Sequence, residues 1–412
     1  MAIDLKQHDR DTLVALAARH LTPNYRNAPL IFVDGEGPWG RTVDGERYLD
    51  FSAGVAVNAL GHSHPDLVEA IRDQAGRLLH QSNYWHNAHM VPVAEALCAH
   101  WQAATGGAGR AFFCNSGAEA NEALIKVARR YHATIGGRPR PGIISAHHSF
   151  HGRTWAAMTA TGQPKYQEGF APLVPGFRYA DFGDVASFEA AMDDDTGAVL
   201  IEIVQGEGGV VLPPRGFFTD LRALCDARGV LLLVDEVQTG MGRTGTFFAF
   251  EQEGIAPDAC SLAKALGGGV PVGATIARDA IAAALTPGSH ATTFGGNALA
   301  MRAARTVLAV FERDHLVDRS RAMGEYLLTQ LRAAFAGRSW VTDIRGRGLI
   351  IGVAIKGDAG AVIAAARARG LLISVAGGCV LRMTPPLIVD REDCDLAVAA
   401  LRAAADEVLG AD

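Results

Sequence analysis

Lysine is scarce in this chain. Only five of the 38 basic residues are lysines: Lys6, Lys126, Lys165, Lys264 and Lys356. No basic block exists and the net charge is -6, which argues against nucleic acid or an anionic membrane as partner. No apolar run approaches the roughly 18 residues that a membrane span needs. Residues 1–10 contain no apolar core of a signal peptide, so no secretion is expected. The six cysteines stand apart, with no C-x-x-C, and predict reduced, mostly buried thiols in a cytoplasmic protein. No Gly-Lys-Ser/Thr occurs, which excludes a P-loop ATPase. His62, His64, His86, His89, His147, His148 and His151 invite a metal reading, but no H-E-x-x-H or carboxylate-partnered spacing accompanies them, so no metal is expected.

What is present suits a large core. The 412 residues are 49% hydrophobic and 20% charged, enough for about two domains. From about residue 65 to 300, short apolar strands (111–114, 142–146, 198–203, 230–234, 259–263, 272–277) alternate with amphipathic helices such as 117–133 and 216–228. That alternation predicts an α/β fold with a mostly parallel sheet covered on both faces. Before it come a helix and a small hairpin. After Asn297 a long helical stretch leads to a smaller α+β unit with strands at 349–354, 371–374 and 380–383, and a last helix after Asp390. The expected division is 1–55 as an N-terminal segment of the small domain, 56–300 as the large domain and 301–412 as the C-terminal small domain.

Lys264 is the odd lysine. It ends the apolar run Asp258-Ala-Cys-Ser-Leu-Ala-Lys264, which then breaks into Gly267-Gly268-Gly269. A charged amine at the end of a buried strand is disfavoured, so its pKa falls. A neutral amine can attack a carbonyl and form a Schiff base. About 30 residues upstream, Leu231-Leu-Leu-Val-Asp235 ends another apolar strand on a carboxylate. A Schiff-base lysine with a carboxylate facing a pyridinium nitrogen points to pyridoxal-phosphate chemistry.

Other strand ends add to that reading. Ser116-Gly117-Ala118-Glu119 is a capping box, and a helix start approached through Gly117 suits a phosphate dianion. Phe150 can stack on a flat ring, and Arg153 can hold a carboxylate bidentately. Glu202 and Glu207 follow another buried strand, where they can pair with arginines. Gly240, Gly242 and Gly245 spell G-x-G-x-x-G, but the Thr-Phe-Phe-Ala-Phe that follows opens no dinucleotide-type helix. Thr292 and Thr293 offer hydroxyls beside Gly295-Gly296. Arg382 lies inside an apolar strand and wants an anion.

In this order the segments resemble the class III, fold-type I, pyridoxal-phosphate aminotransferases, with the acetylornithine and succinylornithine group most similar. The matching stretches include Thr22-Pro-Asn-Tyr25, Tyr48-Leu-Asp-Phe51, Gly54-Val-Ala-Val-Asn-Ala-Leu-Gly-His62 and Leu381-Arg382-Met-Thr-Pro-Pro-Leu387, besides those above. The resemblance implies that Lys264 binds the cofactor covalently and shuttles a proton. It implies that Asp235 pairs with the pyridine nitrogen, that Val237 and Phe150 sandwich the ring, and that Gln238 reaches its phenolic oxygen. Ser116, Gly117 and Ala118 hold the phosphate, joined by Thr293 of a neighbouring subunit, so a homodimer with shared sites is implied. Tyr25, Arg153, Glu207, Thr292 and Arg382 become substrate contacts. Arg153 takes the carboxylate of an N-acylated diamino acid, and Arg382 takes that of 2-oxoglutarate or glutamate once Glu207 releases it. The implied activity moves the terminal amine of N2-acetyl-L-ornithine to 2-oxoglutarate. Succinylornithine, ornithine or 4-aminobutyrate as donor, or a mutase or racemase on the same fold, are the alternatives. Ile203, Ala291-Thr292, Ala298 and Trp85-His86 depart from the family pattern, mostly around the substrate.

Overall fold

The computed structural model describes residues 9–411. Its fifteen strands are β1 (Phe32–Glu36), β2 (Trp39–Thr42), β3 (Arg47–Asp50), β4 (Gly109–Cys114), β5 (Gly142–Ala146), β6 (Phe177–Ala180), β7 (Thr196–Glu202), β8 (Leu231–Asp235), β9 (Ala259–Leu262), β10 (Gly273–Arg278), β11 (Val341–Arg347), β12 (Ile350–Ile355), β13 (Leu371–Leu372), β14 (Ser374–Ala376) and β15 (Val380–Met383). Seven form one sheet in the order β4-β10-β9-β8-β7-β5-β6. β5, β7, β8 and β9 are buried along their whole length, because helices cover both faces and leave no side for polar alternation. β10 runs antiparallel to both of its neighbours, against the shared direction of the other six strands. Its link to β9, residues 263–272, is too short for the crossover of a dozen or more residues that a parallel partner requires. Because β10 reverses twice over, β4 again points the same way as β9. The carboxyl ends of β4, β5, β7, β8 and β9 therefore share one edge, where open α/β sheets bind ligands.

The two smaller sheets correct the sequence reading in detail. The expected N-terminal hairpin is a three-stranded meander, and β3 pairs in parallel with β13 through Leu49–Leu371 and Asp50–Leu372. The single strand expected at 371–374 is split: β13 joins that meander, whereas β14 joins the other sheet, ordered β11-β12-β15-β14. The long helical stretch after Asn297 is two helices, Ala298–Arg313 and Leu316–Ala334, parted at His315, whose backbone is left-handed. One apolar cluster runs from Leu49 through Val199 and Leu262 to Leu401, so the sheets share a core. Among the described residues, no helix is long and apolar enough to cross a membrane. All six cysteines are free thiols.

Candidate active site

Lys264 begins the short turn after β9, and its backbone sits in the left-handed region at φ 45°. That conformation costs a non-glycine residue on the order of 1–3 kcal/mol and persists where surrounding packing over-determines it. The side chain lines a cavity of about 460 Å³. Burial lowers the amine's pKa from 10.5 to about 8, opposed by Glu207 and Asp235 and assisted by Arg382. A sizeable neutral fraction at mild alkaline pH follows.

Asp235, the last residue of β8, lines the same cavity and is buried. Its Oδ2 accepts from Asn121 Nδ2 at 2.7 Å and meets His151 Nδ1 at 2.8 Å; its Oδ1 accepts from the Val237 amide at 3.0 Å and Ser261 Oγ at 3.3 Å. Ser261 Oγ also contacts Asn121 Oδ1 at 2.7 Å. With a carboxylate as partner, His151 Nδ1 carries the ring proton. The carboxylate is thus gripped from three segments. Asn121, His151 and Ser261 were not among the expected site residues. His151 stood beside Phe150 in the sequence, but nothing there showed that it reaches Asp235.

The helix Gly117–Thr134 starts at the cavity wall. Ser116 caps it by accepting from the Glu119 amide at 3.2 Å. The first-turn amides cannot be satisfied inside the helix, which leaves donors for an anion. A Cβ at Gly117 would lie 2.6 Å from Val237 Cγ1, so only glycine lets the helix start pack against Val237. Ala53 to Ala56 form a left-handed turn (φ between 46° and 66°) that leads into Val57, another cavity residue. Phe150, Val237 and Gln238 complete the wall. A pyridoxal phosphate fits these residues. Lys264 can take its aldehyde carbon, Asp235 can face its ring nitrogen, Phe150 and Val237 can cover its ring, and the amides at Gly117 and Ala118 can take its phosphate.

Beside the cavity, Arg382 is almost wholly buried on β15. Its Nη1 contacts Glu207 Oε1 at 2.5 Å and Gln238 Oε1 at 3.2 Å, and its Nε donates to Ser374 Oγ at 3.0 Å. Burial pushes the Glu207 carboxyl up, but the charge of Arg382 and its hydrogen bond outweigh burial and hold it below its usual range. Glu207 therefore stays ionised at neutral pH. Arg153 is different. Its guanidinium lies over the Tyr166 ring at 3.9 Å and the Phe150 ring at 5.5 Å, and it makes no ion pair with a described residue.

Glu202 ends β7 next to Asp235 and faces the cavity. Burial, then the Asp235 charge, pushes its carboxyl well above 4.5, against amide bonds from Phe150 at 3.1 Å and Gly206 at 3.4 Å. Between pH 4.5 and its native pKa the folded protein binds more protons at this group than the unfolded chain, so stability falls as pH rises through that window. Glu202→Gln should flatten that fall. Thermal midpoints of both proteins from pH 4.5 to 8 check this, and parallel curves would refute the neutral-acid assignment.

Three expected residues stand apart. Tyr25 is 75% exposed, and Thr292 and Thr293 line a second cavity with Tyr84 and His86 rather than the Lys264 cavity. Asn115 borders both cavities, and its Nδ2 lies 3.4 Å from Thr292 Oγ1.

Residues 21–405 match the aminotransferase class-III family. An acetylornithine aminotransferase of Gloeobacter violaceus is 48% identical over 385 residues, 93% of this chain and 95% of the relative. The solved ornithine aminotransferase of Toxoplasma gondii, described with pyridoxal phosphate partly occupying its active site, superposes with a TM-score of 0.92 at 32% identity, over 98% of this chain and 96% of that one. The N-acetylornithine aminotransferase of Stenotrophomonas maltophilia gives 0.82 at 36% identity, over 96% and 98%. With Lys264 and Asp235 facing one cavity at the edge of such a sheet, the chain belongs to the class-III aminotransferases, enzymes that work with pyridoxal phosphate.

Proposed function

We propose that this enzyme transfers the terminal amino group of N2-acetyl-L-ornithine to 2-oxoglutarate, giving N-acetylglutamate 5-semialdehyde and L-glutamate. The observation that carries the reading is the pair of arginines in two different states beside one cavity. Arg153 is free of carboxylates, and Arg382 is held by Glu207. The acetylornithine activity for which the Gloeobacter and Stenotrophomonas relatives are named supports the donor.

Bound in the cavity, pyridoxal phosphate supplies the carbonyl that accepts the amino group and the ring that draws electrons from the reacting carbon. Lys264 Nζ, with its lowered pKa, takes and returns the proton at the substrate carbon that carries the amine. Asn121, His151 and Ser261 fix both oxygens of Asp235, which would hold the ring nitrogen of the bound cofactor. Arg153 binds the α-carboxylate of the acylated donor and then the distal carboxylate of 2-oxoglutarate. While the donor is bound, Glu207 neutralises Arg382. When 2-oxoglutarate enters, its α-carboxylate takes the place of Glu207 on Arg382. Glu207→Ala is thus expected to favour dicarboxylate binding to a permanently open Arg382 and to slow the acylornithine half-reaction. Measured separately, equal rates to wild type in both half-reactions would end the switch idea.

The phosphate end would be completed from a second copy. Thr293 is exposed, and an apolar surface holding Tyr84 (89% exposed), Trp85 (67%) and Phe294 (60%) lies in the same region. A homodimer that covers this surface suits both facts; a holoprotein sedimenting as a monomer would refute it. Free thiols throughout suit a reducing, cytoplasmic setting. The donor assignment is tested by kcat/KM for acetylornithine, succinylornithine, ornithine and 4-aminobutyrate with 2-oxoglutarate. Acetylornithine should lead, and a clear preference for another terminal amine would replace it as the substrate.

A further inference from the structure

The Tyr166 ring has no role in the reading above, yet it makes the nearest ring contact with a substrate arginine. We propose that Tyr166 is a positioning residue whose aromatic face holds the Arg153 guanidinium ready at the cavity mouth for the substrate carboxylate. This rests on Arg153 being the carboxylate anchor.

Arg153 is an exposed, long side chain, and such a chain loses much rotamer freedom when it is fixed. Something must hold it without using its donors. Tyr166 does so: the guanidinium carbon lies 3.9 Å from the ring centroid. A cation held by a π face keeps its N–H edges available for bidentate carboxylate binding. Arg382 is the contrast, since Glu207, Gln238 and Ser374 occupy its donors. Arg153 is needed in both half-reactions and Arg382 in only one, and their resting partners differ accordingly.

The platform itself is fixed. Tyr166 ends the turn Pro164–Tyr166, with Gln163 before it and Gln167 after it. Gln163 Nε2 donates to Ser149 O at 2.9 Å and His148 O at 3.2 Å. Gln167 Nε2 donates to Thr161 O at 2.9 Å and meets Tyr179 Oη at 2.9 Å. The first pair of acceptors lies in the loop that carries Phe150 and Arg153. The turn and the arginine are therefore tied to one another rather than to separate mobile segments. Phe150 meets Tyr166 edge-to-face at 5.7 Å, so the ring lining the cavity, the platform and the arginine form one contiguous cluster. Lys165 Nζ lies 4.8 Å from the same ring and adds positive potential for an arriving carboxylate.

The test compares Tyr166→Leu, Tyr166→Phe, Arg153→Leu and the double Tyr166→Leu/Arg153→Leu as holoenzymes. The readouts are KM and kcat for acetylornithine and 2-oxoglutarate, and the inhibition constant of glutarate, an unreactive dicarboxylate. Loss of the ring should raise KM and the glutarate constant by roughly 3- to 30-fold with a smaller change in kcat, and Phe should restore both to within about twofold. Adding Tyr166→Leu to Arg153→Leu should change nothing further. If Arg153→Leu weakens binding but Tyr166→Leu does not, the platform is refuted and the anchor stands. If Arg153→Leu leaves binding intact, the anchor fails and the platform with it. If Phe is as impaired as Leu, or if Leu acts equally in the Arg153→Leu background, the ring does not work through Arg153 and the proposal is overturned.

Discussion

Lys264→Ala is expected to lose transamination by on the order of 10⁴-fold or more while the protein stays folded. The size follows from two roles lodged in one atom. The amine is the nucleophile that can capture the cofactor's carbonyl, and it is the nearest group able to carry the proton at the reacting carbon. Burial makes both possible, since it brings the amine's pKa from 10.5 down to about 8. The same shift carries a cost. Between about 8 and 10.5 the unfolded chain binds more protons at this group than the folded one, so the lysine weakens the cofactor-free fold as pH falls through that window. Its left-handed backbone adds strain that Ala, which keeps a Cβ, would share, so the lowered pKa alone separates the two proteins. The variant should therefore unfold no earlier than wild type in the cofactor-free state at pH 7, and it should release the cofactor on gel filtration. In wild type, uptake of pyridoxal phosphate by the cofactor-free protein should speed up as pH rises through about 8. A Lys264→Ala protein that turned over within tenfold of wild type, or wild-type uptake flat from pH 7 to 9, would contradict this role.

Asp235→Asn is expected to cost on the order of 10²–10³-fold in kcat, the range of a lost preorganised charge at a reacting group. Unlike Lys264→Ala, it leaves the covalent anchor in place, so the visible colour of the bound cofactor should persist. Asn also keeps an oxygen for part of the grip by Asn121, His151 and Ser261. Asp235→Ala would instead strip these buried donors of their partner, at about 1–3 kcal/mol for each group left unpaired. The Asn variant should thus separate charge from architecture: low kcat with a near wild-type thermal midpoint. Full activity in Asp235→Asn would mean that the carboxylate charge is not what the ring needs.

Much of this was readable along the chain, for a physical reason. Lys264, Asp235 and Ser116 each stand where an apolar strand stops, and polar residues there are exposed to one edge of the sheet. Their position in the sequence is their position in the site. β8 and β9 were placed to within a residue because strands buried on both faces need continuous apolar runs. β6 and β11 were not foreseen. Both lie at sheet edges, and β11 has the charged, half-exposed sequence Val341-Thr-Asp-Ile-Arg-Gly-Arg. The split at Ile373 was hidden because a run of apolar residues does not say which of two sheets it joins. The grip on Asp235 was hidden because Asn121 comes from 114 residues upstream. Tyr166 was hidden likewise, since a tyrosine in a turn announces no arginine.

The most direct test of the aminotransferase reading is a single half-reaction without 2-oxoglutarate. Holoenzyme mixed with excess N2-acetyl-L-ornithine should lose its visible absorbance and release one equivalent of N-acetylglutamate 5-semialdehyde per site. After the unreacted donor is removed by gel filtration, addition of 2-oxoglutarate should restore the absorbance and yield one equivalent of L-glutamate per site. Unchanged absorbance with acetylornithine, alongside full bleaching by 4-aminobutyrate or another short amine, would contradict the proposed substrate.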